Sequence, residues 1–204
     1  MVPAMLAAET AKLLASRAAL VVGASSGAVE ALCQLLPVVP EAARIPVVVV
    51  VHLPPSRPSL LPEVFSQRCA ARVREAEDKQ PVSAGTVWFA PSNYHLLIER
   101  DRTFSLSVDA PVNFSRPSID VLFESAAECF GDKLCVIVLT GANDDGALGA
   151  SVVRRAGGLV IVQDPSTADA AQMPQSALSR ANPQIVAALP EIARFIYQAT
   201  KAAP

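Results

Sequence analysis

Ala19-Leu20-Val21-Val22-Gly23-Ala24-Ser25-Ser26-Gly27 is an apolar run that breaks into a small-residue turn, and Ala28 to Leu36 follows it with helical patterning. A short apolar strand, a tight turn and a helix form the opening of a βαβ unit. Two further apolar runs end in the same way. Pro46 to Val51 holds five consecutive valines and gives way to His52, whereas Leu134 to Leu139 gives way to Thr140-Gly141-Ala142-Asn143-Asp144-Asp145-Gly146. Parallel strands in an open α/β sheet present ligands at their carboxyl ends. If these three runs are parallel neighbours, an alcohol, an imidazole and a carboxylate meet at one edge, as nucleophile, base and orienter do.

The rest of the chain fits the same architecture. The patterning predicts helices over Ser118–Phe130, Ala147–Ala156 and Leu189–Thr200, an amphipathic stretch over Leu60–Ala71, and a strand over Leu159–Val162. Thr86–Phe89, Tyr94–Glu99 and Phe104–Val108 are short strands with tight connections, and Asp101-Arg102 fits a hairpin turn. The expected fold is therefore α/β: a doubly wound, mainly parallel sheet with helices on both faces and a small antiparallel segment. The 204 residues suit one sizeable domain at 19–200, preceded by an N-terminal helical extension at 1–18.

Composition narrows the function. Hydrophobic content is 51% and the net charge is −2, which describes a folded globular chain with no bulk attraction for nucleic acid or anionic membrane. No run approaches the ~20 apolar residues that span a bilayer, and charges interrupt the N-terminal segment too early for a secretory signal. The four cysteines lack CxxC spacing and sit in apolar segments, so buried reduced thiols in a cytoplasmic protein are expected. With two histidines and no ligand spacing, neither a metal nor another cofactor is called for.

Gly23-Ala24-Ser25-Ser26-Gly27 matches G-x-S-x-G in the strand-to-helix context that a nucleophile elbow needs. The plainer alternative is a turn in which Ser26 caps the helix. A dinucleotide loop fits less well: Ser25 takes the middle glycine position, and the next strand ends on His52 rather than an acid. His95 is a second candidate base, or else a packing residue or a contact to substrate at the rim. Spacing does not choose between Asp144 and Asp145. The order Ser, His, Asp departs from that of α/β-hydrolases, but a triad is defined by geometry.

Taken together, VVGASSGAVEAL, VVVVVHLPP, REAEDKQPVSAGTVWFAPSNYHLLIE, PVNFSRPSIDVLF, VIVLTGANDDGALG and AGGLVIVQDPSTADAAQMPQSAL resemble the catalytic domain of the CheB-type chemotaxis protein-glutamate methylesterases. The resemblance implies hydrolysis of glutamyl methyl esters on the cytoplasmic helices of methyl-accepting chemoreceptors, with methanol released, and in many members deamidation of receptor glutamines. It carries the nucleophile to Ser25, the base to His52 and the acid to Asp145, with the backbone amides of Ser26 and Ala142 as oxyanion donors. Three positions depart from the family pattern: Ala28 stands where a second glycine is usual, Ala142 where methionine is usual, and Asp144 adds a negative charge beside the acid. The first two departures motivate an alternative, a catalytically weak receptor-docking or regulatory module of the same fold. The residues before the first strand are too few for the receiver domain of typical members, so the expectation is either a catalytic fragment or a stand-alone form that is constitutive or controlled by a separate regulatory protein.

Overall fold

The computed structural model describes residues 12–53 and 59–202. Seven parallel strands form the central sheet: β1 (Ala19–Ala24), β2 (Val47–Val51), β3 (Arg72–Glu75), β4 (Thr86–Phe89), β7 (Leu134–Val138), β8 (Leu159–Gln163) and β9 (Ile185–Ala187). Their order across the sheet is β3-β4-β2-β1-β7-β8-β9. A two-stranded antiparallel hairpin, β5 (His95–Ile98) and β6 (Phe104–Ser107), stands apart from it. The fold class is the one the sequence predicts.

The valine runs form central strands because both faces of the sheet are covered. Along β2, Val47, Val49 and Val51 pack on one side with α1 (Ala28–Leu35), α2 (Leu61–Ser66) and α6 (Leu189–Thr200). Val48 and Val50 pack on the other with α3 (Ile119–Phe130), α4 (Ala147–Arg155), α5 (Gln172–Ala181) and the hairpin. A strand buried on both faces reads as a continuous apolar run rather than an alternating one.

Chain order places the site. From β1 the chain steps to β2, then to the edge strand β3 and back to β4 between them, whereas from β7 it steps the opposite way to β8 and β9. The direction of winding reverses between β1 and β7, and a crevice opens at the carboxyl ends of strands at such a switch point. The three strands whose ends carry Ser25, His52 and the Asp144-Asp145 loop lie side by side here, as β2-β1-β7.

Three elements go beyond the sequence reading: β3, α5 and β9. The amphipathic stretch from Leu60 shortens to α2. Cys135 is buried with its thiol pushed up to about 12 by burial, but Cys33, Cys69 and Cys129 are only half-buried, and all four are free. The expected N-terminal helix falls largely on residues 1–11, outside the described residues, while 12–15 are helical. The Pro-rich loop after His52 likewise lies mostly outside them, at 54–58.

Candidate active site

The turn after β1 is held by its neighbours. The Ser25 amide donates to the Thr140 carbonyl at 2.9 Å, and the Thr140 hydroxyl donates to the Ser26 carbonyl at 2.8 Å. Gly27, not Ser26, occupies the N-cap of α1, with φ +80° and no side-chain cap. Glycine suits that left-handed geometry, and a Cβ there would lie 2.5 Å from an Asp169 carboxylate oxygen. The amides of Ser26 and Ala142, both exposed residues, donate to no partner among the described residues. Unpaired N–H groups beside a candidate nucleophile are what an oxyanion hole requires.

The register of β1 against β2 pairs Ala24 with Val51, and one further step along it sets Ser25 opposite His52. The His52 amide donates to the Ala24 carbonyl at 3.3 Å, so strand-like pairing continues to this point. His52 Nε2 lies 2.8 Å from Asp145 Oδ2, and the ring is 12% exposed. Its other nitrogen, Nδ1, faces Ser115 Oγ at 3.3 Å and Asn143 Nδ2 at 3.4 Å. Asn143 is oriented by its Oδ1, which accepts from the Asp145 amide at 3.2 Å. With an ionised Asp145 on Nε2, that nitrogen carries the proton and Nδ1 keeps the lone pair. The structure therefore joins His52 to Asp145 directly, while Ser25 Oγ makes no hydrogen bond to the ring among the described residues.

Asp145 is fully buried. Its Oδ2 also accepts from the Ile119 amide at 2.6 Å. Oδ1 accepts from the Ser118 hydroxyl at 2.8 Å, the Asp120 amide at 3.1 Å and Asn113 Nδ2 at 3.2 Å. The carboxylate thus sits on the N-terminus of α3, where free amides and the helix dipole favour an anion. Burial acts to raise its pKa, but the bonds from His52, Ile119 and Asp120 outweigh burial and hold it below the ordinary value. The helix that Asp145 serves is α3, about 25 residues back in the chain, and not α4, which begins two residues after it.

Asp144 differs sharply. It is exposed and accepts from Gln172 Nε2 at 3.1 Å and Ser176 Oγ at 2.9 Å, tethering the loop to α5. His95 is also settled by its surroundings. It is buried, its Nδ1 accepts from the Ser118 amide at 3.2 Å, and its Nε2 lies 3.1 Å from the Ala110 carbonyl. Both ring nitrogens are engaged, so His95 braces the start of α3 and contacts no rim.

A family model described as CheB methylesterase matches residues 20–196. The chain belongs to the CheB methylesterase family. A Leptospira interrogans protein, named as a candidate protein-glutamate methylesterase/protein-glutamine glutaminase, is 46% identical over 87% of this chain and 92% of its own length. A Trichodesmium erythraeum protein-glutamate methylesterase/protein-glutamine glutaminase is 38% identical over 72% of this chain and 42% of its own. The chain thus spans most of the first relative and under half of the second. The crystal structure of the Thermotoga maritima CheB methylesterase catalytic domain superposes with a TM-score of 0.85 at 30% identity, covering 89% of this chain and 98% of that one.

Several residues gathered here carried no role in the sequence reading: Asn113, Ser115, Ser118, Asp120 and Asn143. Asp120 lies in the first turn of α3. Its Oδ1 accepts from the Gly149 amide at 2.7 Å and its Oδ2 from Asn113 Nδ2 at 3.0 Å. Asn113 therefore bridges two neighbouring buried carboxylates. Burial, with the charge of Asp145 adding to it, pushes Asp120 up to about 6, against the bond from Gly149.

A raised carboxylate has a defined sign in linkage. Its contribution to stability is full below the unfolded value near ~3.9 and is lost as pH rises through about 6. In thermal melts, wild-type Tm should carry a decline between pH 4 and 6 that Asp120→Asn lacks. Identical Tm profiles for the two proteins would show that this carboxylate does not titrate there.

Space is as tight as charge. A Cβ on Gly23, next to the last residue of β1, would lie 2.4 Å from Ile119 Cγ2, and the Ile119 amide is the one bonded to Asp145 Oδ2. Glycine at 23 is what lets α3 approach the sheet closely enough to seat the carboxylate.

Proposed function

We propose that this chain is a serine carboxylic ester hydrolase that removes methyl groups from glutamyl esters of chemoreceptor cytoplasmic helices, in adaptation of chemotaxis signalling. The buried His52–Asp145 bond, one strand register from the Ser25 turn, is the observation that carries the reading. Family membership and the names of its relatives support the same chemistry.

In this mechanism Ser25 Oγ attacks the ester carbonyl and His52 Nδ1 takes its proton. Asp145 accepts from Nε2–H, fixes the tautomer and stabilises the imidazolium. The Ser26 and Ala142 amides bond the oxyanion, a contribution of ~3–4 kcal/mol per donor in comparable sites. His52 then protonates the departing methanol, and water activated by the same nitrogen cleaves the glutamyl-enzyme. A receptor glutamine at the same place loses ammonia by the same steps. Ser115, whose hydroxyl reaches Nδ1 in the resting site, yields that nitrogen when Ser25 engages it. Catalytic hydrogen bonds commonly tighten only on substrate binding.

The working compartment in this reading is the cytoplasm, where the receptor helices are. Among the described residues, no helix is long and apolar enough to cross a membrane. The reading is tested by incubating the protein with a methyl-esterified receptor cytoplasmic fragment and following methanol by gas chromatography and the fragment by mass spectrometry. Stoichiometric methanol and conversion of esters to free glutamates are expected. Intact esters in the presence of folded protein would overturn the assignment and favour a docking module.

A further inference from the structure

The loop at 108–117 crosses the site and is fastened at both ends of its tip. Asn113 Nδ2 donates to the two buried carboxylates beneath it. Arg116 donates to the Val108 and Asp109 carbonyls at 2.7 and 3.0 Å, and to Asn93 Oδ1 at 2.7 Å. At the tip, Val112 and Ser115 exchange backbone hydrogen bonds of 3.1 and 2.9 Å, closing a two-residue hairpin turn around Asn113 and Phe114. Both central residues are left-handed, Asn113 at φ 50° and Phe114 at φ 61°. That geometry favours Asn followed by Gly, and a bulky residue at the second position is strained.

Phe114 gains no burial among the described residues in return. Its relative exposure is 104%, so no packing among the described residues holds the ring. It stands on the rim of a cleft of about 320 Å³ whose lining includes His52, Leu53, Pro111 and Ser115. Val108 and Val112, at 68% and 37%, extend the exposed apolar surface along the same loop. Strain kept at a fully exposed aromatic beside a candidate base points to a contact made outside the chain.

We propose that Phe114 is a specificity-determining residue that packs against the apolar seam of the substrate helix next to the ester being cleaved. The inference rests on the methylesterase reading given above. An amphipathic helix offers such a seam, and methylation removes the glutamyl charge, so the esterified face is the more apolar one. A rigid tip carrying one ring registers that seam against His52 and selects polymeric helical substrate over small esters.

Phe114→Gly tests this in a variant favoured to fold, because glycine relieves the left-handed strain. Its Tm should rise by a few degrees. The comparison uses kcat/KM on a methyl-esterified receptor fragment divided by kcat/KM on p-nitrophenyl acetate. That ratio should fall about tenfold or more in Phe114→Gly, chiefly through KM on the fragment, and stay within about threefold in Phe114→Tyr. A ratio in Phe114→Gly within about twofold of wild type would overturn the role of Phe114 while leaving the methylesterase reading intact. Absence of methanol release by wild-type protein would overturn both.

Discussion

Replacing Ser25 with alanine should lower kcat for methyl-ester hydrolysis by about a million-fold, the loss seen when a triad nucleophile is removed. The substitution deletes one oxygen and nothing that holds the turn. Ser25 is tied to the Thr140 carbonyl through its amide, and Gly27 rather than a serine side chain opens the helix that follows. Tm should therefore match wild type, which separates a lost nucleophile from a lost fold. The Ser26 and Ala142 amides remain, so some acceleration over water from the oxyanion donors and from binding is expected to survive. Gas-chromatographic methanol measurement at high enzyme concentration reads both effects.

Asp145→Asn should reduce kcat about ten-thousand-fold while leaving substrate binding near its wild-type level. Five donors converge on the two carboxylate oxygens: His52, Ile119, Asp120, Ser118 and Asn113. Asparagine keeps one acceptor oxygen and turns an NH2 toward the others. If the NH2 faces His52, it donates to Nε2, drives the ring proton onto Nδ1 and removes the base. If it faces α3, the amides of that helix lose their partner. Stability should also fall, by about 1.5–3 kcal/mol for lost hydrogen bonds to a charged group. Because the folded pKa of Asp145 is depressed, its stabilisation is present above the unfolded value near ~3.9 and fades as pH drops through the folded one. The variant should accordingly lose part of the acid sensitivity of wild type below pH ~4. Asp144→Asn, at an exposed tether to α5, should change kcat less than about threefold. The reverse ranking of the two variants would place the orienting carboxylate on the wrong aspartate.

The central strands were legible because burial on both faces demands unbroken β-branched runs, which few other structures accommodate. β3 was not, since Arg72-Val73-Arg74-Glu75 is an edge strand with exposed charged side chains and a single apolar position. β9 is three residues long, too short to show a period. α5 buries Met173, Ala177 and Ala181 at four-residue spacing, but small side chains and Pro174 in its first turn hide that face. Within the site, Ser25 and His52 could be read from strand ends alone. The choice between Asp144 and Asp145 could not, because it depends on which carboxylate α3 buries, a contact between segments about 25 residues apart. The same holds for Ser115 and Asn143, which reach the imidazole from separate loops. Their residue types carry no signature of that placement.

Two hydroxyls compete for the role of nucleophile. Ser115 Oγ already lies 3.3 Å from His52 Nδ1, whereas Ser25 occupies the strand-to-helix turn beside amides that are unpaired among the described residues. A fluorophosphonate probe followed by peptide mass spectrometry distinguishes them on the intact protein. A single adduct on the Ser25 peptide is expected, abolished in His52→Ala and retained in Ser115→Ala. An adduct on Ser115, or no adduct on folded wild-type protein, would contradict acyl transfer through Ser25.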